Sequence, residues 1–163
     1  LLQYIEDIDL WKFKYNNTLP IVTALDIDDK KDRKILEAML EPDWWNDVFP
    51  SLLEKGHNYL KLIEQQIDDI VKTTITKRWK GYTVSVVNTP IHKSFVGDRI
   101  LKINSKTQFV LLWSVEKDLV IVGLRGRGDI NLGEIARRYD GGGHIAAAGF
   151  SMNLKKFIKD IMK

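Results

Sequence analysis

The chain has 163 residues, 44% of them hydrophobic, with 25 Lys and Arg against 22 Asp and Glu. That suffices for one ordinary domain or two small ones with a true core, and the formal net charge of +3 permits a nucleic-acid partner without arguing for one. The absence of cysteine excludes disulfides, zinc–thiolate centres and a cysteine nucleophile. No apolar run approaches the roughly 18 residues of a membrane span and no signal peptide opens the chain, so a cytoplasmic address without a membrane partner is the expectation. A start at Leu1 rather than Met points to a fragment, a processed form or an omitted disordered start.

Residues 1–16 place apolar side chains at 1, 2, 5, 8, 10 and 11, close to helical spacing, with a strand entering a turn as a near-equal alternative. Residues 26–45 read as an acidic start and a short helix with Pro42 near its end. Ser51 and Glu54 have capping-box spacing, and Leu60, Ile63, Ile67 and Ile70 recur at steps of three and four. One helix is therefore predicted from about Ser51 to about Arg78, roughly 40 Å long, serving either a bundle or as a connector between two lobes. Beyond Gly81 the period changes. YTVSVVNT is a strand, KSFVGDRILKIN a helix, and two apolar strands meet at a tight turn over Glu116–Asp118. DINLGEIARRY is a short amphipathic helix with Asp129 as its N-cap, followed by a glycine run, a short strand and a last helix. The order strand, helix, strand, strand, helix, strand, helix predicts an α/β domain of about 80 residues, a small mixed sheet with packed helices.

Two features of that domain point to chemistry. In YDGGGHIAAAGF, one glycine suits a left-handed helix end. The others let backbone amides turn toward an anion such as phosphate, with His144 beside them as a donor. A merely compact turn is the competing interpretation. In GLRGRG, Arg125 ends an apolar strand, where its planar fork matches a phosphate in two-point contact; a solvated hairpin arginine is the alternative. Three other signals are discounted. RGD at 127–129 is turn plus N-cap. Asp26, Asp28 and Glu37 have calcium-loop spacing, but lysines stand at Lys30 and Lys31 where a ligand and a glycine are needed. Trp44 and Trp45 fit core packing or a lobe contact better than base stacking.

The stretch from Gly123 to Phe150 resembles the signature of the DHH-associated domain of the DHH phosphoesterases, a strand ending S-x-R-S, a helix, and then GGGGH-x-x-A-[AS]-G-F. Arg125 matches the family arginine, and Gly141, Gly142, Gly143, His144, Ala147, Ala148, Gly149 and Phe150 match the turn. Gly123 and Gly126 replace the flanking serines, and Asp140 replaces the first glycine. The resemblance covers residues 80–163. It implies residues 1–50 as the remnant of a metal-binding lobe, 51–79 as the connector helix and 80–163 as the substrate-binding domain. It further implies a manganese-dependent hydrolase acting on short oligonucleotides or related phosphodiesters and nucleotides, with two Mn2+ ions held by the other lobe. Arg125, Gly141, Gly142, Gly143 and His144 would hold the phosphate of a nucleotide or short single strand. Asp7, in YIEDIDLW, is similar to an aspartate ligand near that lobe's end, and would be the single metal ligand here, against a solvated acidic face of Glu6, Asp7 and Asp9. With no Asp-His-His motif, the chain alone is expected to be inactive. A non-catalytic nucleic-acid-binding module is the alternative, and a homodimer is left open.

Overall fold

Val84, Ser85, Val86 and Val87 are four consecutive residues that are all buried. A strand covered on both faces needs a layer on each side, and the computed structural model supplies both. It describes residues 2–27 and 43–163, with the backbone alone for Trp44 and Trp45. The chain divides into two units, Leu1–Gln65 and Gln66–Lys163.

In the first unit, α1 (Leu2–Asp9), α2 (Thr18–Ile27), α3 (Trp44–Asp47) and the start of α4 (Phe49–Lys72) appear in order. Tyr4, Ile21, Val22, Ala24 and Leu52 form its core, with Tyr15, Phe49 and Leu53 packed against them. Gly56, the one glycine of α4, is where that helix meets the Pro20 backbone: a Cβ there would lie about 2.0 Å from the Pro20 carbonyl oxygen. The helix expected within residues 26–45, the discounted calcium loop and the Trp44–Trp45 side chains lie outside the described residues.

The second unit holds a six-stranded mixed sheet of order β1-β2-β3-β4-β6-β5. Its strands are β1 (Ile75–Trp79), β2 (Tyr82–Asn88), β3 (Phe109–Glu116), β4 (Leu119–Gly126), β5 (Gly142–Gly143) and β6 (Ala147–Asn153). Only β2 and β3 pair in parallel, joined by the crossover helix α5 (Lys93–Ile103). α6 (Leu132–Arg137) follows β4, and α7 (Leu154–Phe157) continues into a wider turn over Ile158–Met162. The period-two alternation of β-strands divides the sheet. One face turns Val84, Val86, Phe109, Leu111, Val122, Leu124, Phe150 and Met152 toward α6 and the C-terminal helix. The opposite face lies under α5, whose Val96 and Ile100 are buried. The expected α/β architecture is therefore the observed one, with β1 and β5 added.

Three local expectations are corrected. α4 stops at Lys72, not near Arg78. The β-branched run Thr73, Thr74, Ile75, Thr76 disfavours helix, the Thr73 hydroxyl donates to the Ile70 carbonyl at 2.7 Å, and the chain enters β1. β1 then returns to β2 through Lys80 and Gly81, both at positive φ (49° and 89°), a turn that suits the strand twist. Ser51 does not cap α4. It sits inside the first turn, donating to the Val48 carbonyl at 2.9 Å. Asp129 is not the cap of α6 either. Asn131 is, accepting from the Glu134 amide at 3.3 Å.

Candidate functional site

The helix α6 ends in a pair of bonds that explains the first part of the glycine run. The Gly141 amide donates to the Ala136 carbonyl at 3.0 Å and the Asp140 amide to that of Arg137 at 3.2 Å. This is the Schellman pattern, with the residue at its left-handed position supplying positive φ. That residue is Asp140, at φ 60°, not one of the glycines as the sequence suggested. Asp140 is exposed.

Gly141 and Gly143 are then required by packing. A Cβ on Gly141 would lie 2.2 Å from the Gly149 carbonyl oxygen and 2.5 Å from Phe150 Cβ. A Cβ on Gly143 would lie 2.4 Å from Ala148 Cα, and Gly143 also sits at φ 140°. These two glycines let β5 lie against β6. Gly142 is different: it is exposed, and nothing lies within 4 Å of where its Cβ would be. Part of the amide nest expected from the sequence is used inside the chain, because the Gly141 amide serves the helix end and the His144 amide donates to the Ala147 carbonyl at 2.7 Å. The His144 side chain belongs to an exposed residue.

Arg125 reaches this hairpin through sheet register. It pairs with Ala147 in β6, and Ala147 is the residue that accepts from His144, so the backbones of Arg125 and His144 are neighbours across one strand. The side chain of Arg125 lies on the α5 face. Its stem runs over Gly97 of α5, where a Cβ would come within 2.8 Å of Arg125 Cγ. One terminal nitrogen donates to the Ser94 hydroxyl at 3.0 Å and the other to the Leu124 carbonyl at 2.9 Å. Partial burial lowers its pKa by desolvation, and among the described residues no carboxylate pairs with it. A partly buried cation without a carboxylate beside it is costly, and a guanidinium so placed has the chemistry to take an anion.

The ground beside it is bare. Gly123 in β4 pairs with Gly149 in β6, and Gly149 with Gly142 in β5, so three glycines share the α5 face in register across three strands. A Cβ on Gly123 would be 4.0 Å from both an Arg125 terminal nitrogen and Lys93 Cδ, and Lys93 Nζ donates to the Ser114 hydroxyl at 2.9 Å. Gly126 is confined instead, its Cβ position 3.1 Å from Leu132 Cδ1. Gly97, Ser94, Lys93 and Ser114 are site residues that the sequence did not single out. The one visible signal was a glycine inside a helix pattern at 97.

Arg127 does not belong to this site. It donates to the carbonyls of Leu101, Asn104 and Thr107, fastening the C-terminal end of α5, where a cation also opposes the helix dipole.

Asp7 is occupied. It is buried, and its two carboxylate oxygens accept from the Lys14 amide at 2.8 Å, the Tyr15 amide at 3.2 Å and the Thr18 hydroxyl at 2.5 Å. Burial alone would push its carboxyl up; the Thr18 hydroxyl, the two amides and Lys12 together bring it below the ordinary value of 3.8. Asp7 is thus not part of a solvated acidic face. No group of three or more His, Asp or Glu that could hold a metal ion occurs among the described residues.

A six-stranded mixed sheet with helices on both faces, and an arginine at the end of β4 beside a glycine hairpin, define a small α/β domain. The DHHA1 domain model matches residues 80–163, more than half of the chain, and the chain belongs to that family. No curated protein matches the sequence. Among solved structures, the DHH domain described as a member of the s1p family of ribosomal proteins is 15% identical with a TM-score of 0.60, covering 99% of this chain and 46% of that one. RecJ of Thermus thermophilus, solved with Mg2+, is 21% identical with a TM-score of 0.53, covering 86% and 23%. The pGpG-specific phosphodiesterase PggH of Vibrio cholerae is 16% identical with a TM-score of 0.50, covering 91% and 49%. At such identities the likeness is one of fold, and the chain spans less than half the length of each. Among the described residues no helix is long and apolar enough to cross a membrane.

Proposed function

We propose that this chain is the substrate-binding part of a DHH-family phosphoesterase acting on short oligonucleotides or related phosphodiesters, and that by itself it hydrolyses none of them. The observation that carries this reading is Arg125, a partly buried guanidinium held by Ser94 and Gly97 with no carboxylate partner among the described residues. Gly142 and His144, exposed on the adjoining hairpin, contribute further contacts to the same phosphate or nucleotide. The similarity of fold to a pGpG-specific phosphodiesterase supports a short oligonucleotide as the ligand. Manganese, in this reading, is held by a metal-binding lobe of the whole protein and not by the residues described above. The contribution of this chain is orientation of the ligand, which converts a loose encounter into a positioned one.

Calorimetric titration with a 5′-phosphorylated dinucleotide tests the reading. A hydrogen bond to a charged group is worth about 1.5–3 kcal/mol, so Arg125→Ala weakens binding roughly ten- to more than a hundredfold. Arg125→Lys loses a substantial part of that, because an ammonium cannot reproduce the planar fork. Equal binding by parent and both variants would refute the assignment. Turnover of the dinucleotide by this chain with added Mn2+ would refute its inactivity.

A further inference from the structure

Arg125 is not the only cation at this position on the sheet. The stem of Lys93 reaches the same open side-chain position of Gly123: Lys93 Cδ and an Arg125 terminal nitrogen each lie 4.0 Å from the point where a Gly123 Cβ would be. The Lys93 ammonium rests on the hydroxyl of Ser114, at 2.9 Å, and Ser114 is buried in β3. Among the described residues neither cation has a carboxylate partner, although α5 carries Asp98, which pairs instead with Lys102 at 2.7 Å. Two like charges held near one another without a counter-ion are unfavourable, and an arriving anion relieves both. A neutral hydroxyl as the polar partner of Lys93 among the described residues keeps the ammonium in place without cancelling its charge. Rotation about its last bonds carries it from Ser114 to a ligand held by Arg125. Gly123 matters because a side chain there would start 4.0 Å from both groups and fill the ground they border.

We propose that Lys93, positioned by Ser114, is the second cation of the Arg125 site and makes that site select a doubly charged terminal phosphate over a singly charged internal linkage. This rests on the function proposed above and adds the residue that sets its preference. A phosphomonoester carries a charge of about −1.5 to −2 near neutral pH, whereas a diester carries one negative charge. Arg125 alone matches the diester, and the two cations together match the monoester.

The test compares three forms of one dinucleotide, phosphorylated at the 5′ end, at the 3′ end and at neither, each titrated calorimetrically into the 163-residue chain. The parent binds one or both phosphorylated forms at least about tenfold more tightly than the unphosphorylated one, and the favoured end identifies which terminus enters the site. In Lys93→Met this ratio falls about fivefold or more; Lys93→Arg keeps most of the ratio, and Ser114→Ala lowers it part of the way. The ratio is taken within one variant, so any partly unfolded fraction affects all three ligands alike and cancels. If Lys93→Met leaves the ratio unchanged while Arg125→Ala weakens all binding, the role of Lys93 is overturned and the proposed function stands. If neither variant alters binding, the proposed function falls, and the role of Lys93 with it.

Discussion

Adding one methyl group at Gly143 and, separately, at Gly142 distinguishes the steric use of the glycine run from its use toward a ligand. At Gly143 an alanine meets two obstacles. Its backbone sits at φ 140°, a region that costs a side-chain-bearing residue about 1–3 kcal/mol. Its Cβ would lie 2.4 Å from Ala148 Cα and 2.6 Å from the Ala147 carbonyl oxygen, backbone atoms that cannot retreat without parting β5 from β6, and such overpacking costs about 1–3 kcal/mol more. A total of about 2–6 kcal/mol in a unit of roughly a hundred residues, at about 5 °C per kcal/mol, lowers the melting midpoint by about 10–30 °C. At Gly142 the Cβ meets nothing within 4 Å, so alanine changes stability by no more than about 0.5 kcal/mol. Its effect falls on the ligand instead, a severalfold loss of affinity for a 5′-phosphorylated dinucleotide. Thermal melting by circular dichroism, followed by titration of the same samples, reads both quantities. Equal melting losses in the two variants, or a Gly143→Ala midpoint within about 4 °C of the parent, would refute the steric assignment.

Three further outcomes follow from the same geometry. Asp140→Gly stabilises the sheet unit by about 1 kcal/mol, because Asp140 is held in a left-handed conformation at φ 60° that glycine adopts freely; a denaturant melt reads this, and an unchanged midpoint contradicts it. Gly97→Ala gains up to about 1 kcal/mol of helix propensity but places a Cβ 2.8 Å from Arg125 Cγ. It therefore weakens dinucleotide binding, and affinity equal to the parent's would show that Arg125 does not need this berth. Asp7 has a folded pKa below its ordinary 3.8, so its contribution is complete above that value and is lost as pH falls through the lower folded value. Acid melting of the helical unit is expected to show this dependence below about pH 4 and Asp7→Asn to abolish it; identical acid profiles would contradict the assignment.

What could be read in the sequence was whatever local pattern determines. The alternation in Tyr82–Asn88, the helix over Lys93–Ile103 and the hairpin around Glu116–Asp118 are carried by residues that touch their immediate neighbours, and the structure has them. The end of α4 was missed because the helical spacing through Ile70 outweighed the β-branched residues that follow it. The capping assignments failed for a related reason: Ser51 and Asp129 have suitable side chains, but where each helix begins decides which residue caps it. Arg125 and the glycine hairpin were legible because strand ends and glycine runs are local features. Their mutual position depends on the pairing of Arg125 with Ala147, and the berth formed by Gly97, Ser94, Lys93 and Ser114 comes from α5 and β3, elements distant in sequence. The hydrogen bonds of Asp7 to Lys14, Tyr15 and Thr18 depend on how the chain between α1 and α2 folds back, which no motif encodes.

The central claim is that a phosphate-bearing dinucleotide lies on the α5 face of the sheet between Arg125 and the glycine hairpin. The most direct measurement is an amide nitrogen–proton correlation spectrum of the chain, recorded as a 5′-phosphorylated dinucleotide is added. The largest shifts are expected at Gly142, His144, Gly123, Gly149 and the first turn of α5 at Lys93 and Ser94, with the same residues quiet in Arg125→Ala at equal ligand concentration. Shifts confined to the opposite face, around α6 and the C-terminal helix, or a spectrum unchanged at millimolar ligand, would contradict it.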